Sequence, residues 1–99
     1  MYEWNLHIER THDSPVTLDD LIRFDQALRI EPDIMSACAS IDTKRRRIWT
    51  TFTMHAEDAT LAADAATACV NVAATIAGLP SGTITGIEVE SARQVTLAA

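Results

Sequence analysis

The sequence predicts an α+β domain: one four-stranded antiparallel sheet with two helices packed on one of its faces. Three observations carry this. Four stretches rich in apolar and β-branched residues have strand length and strand-like alternation, and two repeat apolar residues at spacings of three and four. They follow one another as strand, helix, strand, strand, helix, strand. At 99 residues there is material for one core and no second.

The first strand is the clearest element. Tyr2, Trp4, Leu6 and Ile8 alternate with Glu3, Asn5, His7 and Glu9, so one face is buried and the other free. The cluster Thr11-His12-Asp13-Ser14-Pro15 reads as a turn. Thr17 with Asp20 three residues on forms a capping box with the shorter acid, and a helix starts at Leu18. Its apolar stripe is Leu18, Leu21, Ile22, Phe24 and Leu28. Pro32 stops it, because the residue before a proline is driven out of helical geometry.

Ile34 to Asp42 and Arg47 to Ala56 are two strands joined by a short polar tip, Thr43 to Arg46. In the second, Ile48, Phe52 and Met54 share the inner face, while Trp49, Thr51, Thr53 and His55 share the outer one. In the first, Met35, Ala37, Ala39 and Ile41 share one side and Ser36, Cys38 and Ser40 the other, with Cys38 expected on the open face. Asp58 is the N-cap of the second helix, whose expected core stripe is Leu61, Ala65, Ala68, Cys69, Val72, Ile76 and Leu79. Gly78 and Pro80 end it. The last strand is Thr83 to Glu90, with Ile87 and Val89 inward and Glu88 outward. Residues 1–90 form the domain, and 91–99 are a tail or a short strand extension.

This arrangement resembles the ferredoxin-like βαββαβ superfold over about residues 2 to 90. The resemblance implies the strand order 4-1-3-2, with the first and third strands central, and it carries no activity of its own. The central strands then pair so that His55 lies near Glu3, His7 near Thr51 and Trp49 near Glu9. The uncovered face presents Glu3, Asn5, His7, Trp49, Thr51, Thr53 and His55 as interface or ligand candidates.

A formal charge of −6, with 14 acidic residues against 8 cations, disfavours a general nucleic-acid binder. The basic hairpin Lys44, Arg45, Arg46 and Arg47 holds half of those cations and reads first as a solvated tip that discourages edge pairing. Gly78, Gly82 and Gly86 make no phosphate loop, so no cofactor is expected. His7, His55, Glu3 and Glu9 lack the spacing of a metal motif, and no catalytic set stands out. Cys38 and Cys69 read as reduced, mostly buried thiols rather than a disulfide framework. With no leader or spanning stretch recognised, a cytoplasmic location is expected. The preferred function is a non-catalytic interaction or regulatory module that forms a homodimer through its open sheet face or an edge strand. A dimeric α/β-barrel-type enzyme acting on a small organic substrate is the alternative, and a nucleic-acid module using the basic hairpin is the minor one.

Overall fold

The structure is a computed structural model that describes residues 2–94 apart from Thr43 and Arg45, with the backbone alone described for 92–94. Its elements are β1 (Tyr2–His12), α1 (Leu18–Arg29), β2 (Met35–Asp42), β3 (Arg47–Ala56), α2 (Ala59–Ala77) and β4 (Gly82–Gln94). The strands form one antiparallel sheet in the order β2-β3-β1-β4, which is the expected order read from the opposite edge. The central register is the expected one, with Glu3 opposite His55, His7 opposite Thr51 and Glu9 opposite Trp49. β4 runs on to Gln94, opposite Tyr2, so 91–94 is strand. The rest of the expected tail, 95–99, lies outside the described residues.

Both helices begin and end where their capping chemistry dictates. Thr17 accepts from the Asp20 backbone N–H while the Asp20 carboxylate accepts from that of Thr17, closing the capping box ahead of α1. Asp58 accepts from the Leu61 N–H ahead of α2. Gly78 closes α2 at φ +70°, the left-handed conformation that a residue without Cβ adopts freely.

The core lies between the sheet and the two helices. Leu6, Ile8, Ile48, Phe52 and Met54 point into it from the sheet, and Phe24, Ala27 and Leu28 from α1. α2 contributes Ala62, Ala66, Val70, Ala73, Ala74 and Ala77, which corrects the expected stripe. Leu61, Val72 and Ile76 are instead exposed, as are Ala65 and Ala68. The cause is that α2 is apolar on both sides, so a spacing of three and four fits two faces, and the face of smaller residues wins because it lets the helix axis approach the sheet. By length and composition α2 is apolar enough to cross a membrane, and about a third of it is buried inside this fold.

Other expectations need smaller corrections. Leu18 and Ile22 of α1 are exposed, since the helix turns Phe24, Ala27 and Leu28 to the core and these two positions fall round the side of that stripe. Tyr2 is also exposed, its ring tilted against Trp4 at 6.2 Å between centroids, while the Trp4 indole N–H donates to Ala56 O. A bulge between Met35 and Cys38, with Ser36 at φ +54°, puts Met35 opposite Thr53 and so on the open face, while Ala37, Ala39 and Ile41 keep the inner one. Val89 packs on the core, whereas Ile87, opposite Ile8, is left exposed on the edge strand. β1 also continues into the first two residues of the expected turn and ends at a buried His12.

Candidate interaction face

With both helices on one side, the other face of the sheet is uncovered among the described residues, and the register arranges it in rows. Ser40, Trp49, Glu9 and Gly86 form one row across the four strands; Cys38, Thr51, His7 and Glu88 form the next. Thr53, Asn5 and Glu90 follow, then His55 and Glu3. A groove of about 380 Å³ opens on this face, lined by His7, Glu9, Trp49, Thr51, Gly86 and Glu88 among others. Gly86 matters here because it leaves its place in the Trp49 row without a side chain.

Glu9 is the organising group. Its Oε2 accepts from Arg47 at 3.0 Å and from the Trp49 indole N–H at 3.1 Å, and its Oε1 accepts from Thr85 at 2.7 Å. The Thr85 hydroxyl first, then the Arg47 guanidinium and the Trp49 N–H, hold the Glu9 carboxyl below its usual value against the opposing cost of desolvation. The Arg47 guanidinium also lies 5.5 Å from the centroid of the Trp49 ring. Trp49 is thus fixed in orientation on a face that neither helix covers. Elsewhere on the face Thr53 donates to Asn5 Oδ1 at 3.2 Å, and His55 Nε2 lies 3.6 Å from Glu3.

The seven candidates on this face, Glu3, Asn5, His7, Trp49, Thr51, Thr53 and His55, therefore lie on one surface, with His7 and His55 the exposed members. Cys38 joins them and is exposed rather than buried; Cys69 is half-buried, its Sγ donating to Glu31 at 3.7 Å, and burial first, then the Glu31 and Asp33 charges, push its pKa up to about 11. The basic hairpin does not act as a block. Arg46 donates to Asp13 O and Arg47 belongs to the Glu9 network; Lys44 is exposed and Arg45 lies outside the described residues. Among the described residues, no group of three or more His, Cys, Asp or Glu is placed to hold a metal ion.

One polar cluster escaped the sequence reading. His12 Nδ1 lies 2.9 Å from Arg10 Nη1 and 3.0 Å from Pro80 O, and both His12 Nε2 and Arg10 Nε are buried with no hydrogen-bond partner among the described residues. Continued period-two alternation from Ile8 would have placed both side chains inward, but the polar turn composition outweighed it. Burial, the largest cause, holds the imidazole below its usual value, with the Arg10 charge acting in the same direction and the Pro80 carbonyl against it. A histidine depressed in the folded state binds more protons when unfolded. The stability it contributes is intact above the ordinary imidazole value of about 6.5 and is lost as the pH falls from there towards the folded value. Urea midpoints measured from about pH 7 down to pH 5 are expected to fall, and His12→Phe should flatten that limb.

No known protein-family model matches this chain, and no curated protein matches it.

Proposed function

We propose that this chain is a non-catalytic interaction module of ferredoxin-like architecture that pairs with a second copy through its uncovered sheet face and acts in the cytoplasm. The observation that carries the reading is Trp49, held in one orientation by Glu9 and Arg47 on a face its own helices leave bare. An aromatic ring positioned in advance loses little freedom when a partner covers it, which is the usual property of an interface anchor.

Charge supports self-pairing in one arrangement. Glu88 and Glu90 load the β4 side of the face with carboxylates, whereas the β2 side offers Cys38, Ser40 and Met35. A two-fold axis parallel to the strands sets the acidic half of each copy over the neutral half of the other. An axis perpendicular to the strands would set Glu88 against Glu88.

The enzyme reading is weaker because the groove beside His7 opens on the side away from the helices, and Glu9 is occupied by three donors, a poor state for a general base. The nucleic-acid reading loses support because Arg46 and Arg47 are engaged within the chain. The cytoplasmic assignment agrees with two unpaired cysteines.

Light scattering coupled to size-exclusion chromatography tests the pairing. The wild-type chain is expected to give a dimer or larger species, and Trp49→Glu should weaken that association at least roughly 30-fold, the loss of a hot-spot side chain compounded by burial of a charge. A Trp49→Glu protein with unchanged association would remove this face from the interface.

A further inference from the structure

We infer that the outer side of α2 is a second contact surface, taken by α2 of another copy running antiparallel to it. Leu61, Ala65, Ala68 and Val72 follow one another at spacings of four, three and four, the alternation of a two-helix seam, and Ile76 extends the same apolar side one residue beyond the next seam position, Thr75. None of the five faces the core, and Leu61, Val72 and Ile76 are 52%, 48% and 64% exposed. A helix apolar on both sides normally has neighbours on both sides, and the described residues supply only one of them.

Volume and charge together name a second copy as the occupant. A two-fold axis beside Ala68 sets Ala68 against its own counterpart, Ala65 against Val72, and Leu61 against Ile76. Side chains thus grow from the centre outward, which fits helices that cross closely at the middle and diverge towards their ends. Asp64 is the one charged residue in α2. Antiparallel pairing separates the two Asp64 carboxylates by about 13 Å along the axis, beyond a Debye length of about 8 Å, whereas parallel pairing would place them side by side. For a chain of net charge −6, a face this poor in charge is where two copies meet with least repulsion.

The contact is modest in size. A helix of 19 residues is about 28 Å long and about 10 Å wide, so its footprint is about 300 Å², well below the roughly 800 Å² per partner of a standard stable interface. Association through the seam is therefore concentration-dependent. The seam and the uncovered sheet face lie on opposite sides of the molecule, so using both would add copies in an open stack rather than close a ring.

The test isolates the seam from the sheet face by working in the Trp49→Glu protein. Sedimentation over a concentration series should still show dimer at the upper end, and Val72→Glu should weaken it at least roughly tenfold while leaving the thermal melt in place, since Val72 is half-exposed. In a Cys38→Ser, Cys69→Ser background, Ala68→Cys should form a covalent dimer under mild oxidation, and the exposed control Asp33→Cys should not. A Trp49→Glu protein that stays monomeric throughout and gives no Ala68→Cys cross-link would overturn the seam and leave the sheet-face reading standing. Co-sedimentation of that monomer with phosphatidylcholine vesicles, abolished by Val72→Glu, would assign the seam to lipid and equally overturn the pairing.

Discussion

Replacing Phe24 with alanine is expected to cost about 3–5 kcal/mol, read as a fall in the urea midpoint with an unchanged slope. Phe24 is fully buried and is the largest side chain in that state. Its neighbours cannot fill the hole it leaves. α2 meets the core with five alanines and one valine, all too short to move into the space, and the sheet residues beneath are held by the register of four strands. For a domain of this size, whose whole stability is of the order of 5–15 kcal/mol, that loss takes up a large share and should lower the thermal midpoint by more than ten degrees. A loss of less than about 1 kcal/mol would mean that α1 settles onto the sheet, and that the core is softer than its packing implies.

Gly82→Ala is expected to be the most damaging change at a glycine. A Cβ built there would stand 2.4 Å from the Thr11 backbone O and 3.1 Å from His12 Cα, and neither of those atoms can swing aside as the end of a flexible side chain would. The start of β4 must separate from the end of β1, in the stretch where Asp13 N–H donates to Ser81 O and where Arg10 and His12 meet Pro80. The expected cost is about 1–3 kcal/mol, with amide exchange accelerated at the β1–β4 end of the sheet before it accelerates at Leu6. Gly86→Ala is the matched control, because the same atom there meets only Glu9 Cβ at an ordinary 3.5 Å. Equal losses at the two positions would show that the effect is one of strand propensity and not of the clash.

The parts of the fold legible from the chain are those in which a single pattern had a single solution. The alternation from Tyr2 to Glu9 admits one assignment of faces, and aligning the midpoints of the two central strands is enough to bring Trp49 opposite Glu9. Thr17, Asp58 and Gly78 each have a local chemistry that acts without reference to the rest of the molecule. α2 is the opposite case. Leu61, Val72 and Ile76 are larger and more apolar than Ala62, Ala66 and Ala73, so hydrophobicity favours the wrong face, and the deciding factor is how near the helix must lie to a sheet it meets only in three dimensions. The shift of Met35 to the open face follows from a bulge with no glycine to announce it. The Glu9 network was half legible: Trp49 could be placed beside Glu9, but Thr85 reaches the same carboxylate only because β4 shifts register near Gly86.

The run of alanines on the inner side of α2 also makes tolerance to change lopsided. At Ala62, Ala66 and Ala73 there is almost nothing left to trim, and each added methylene presses directly on the strands. Viable replacements at those three sites narrow to glycine and serine, while Phe24 and Leu28 on the neighbouring helix can be exchanged for other bulky residues of equal volume. A library randomised at both sets should return near-silence from the first and a varied apolar alphabet from the second.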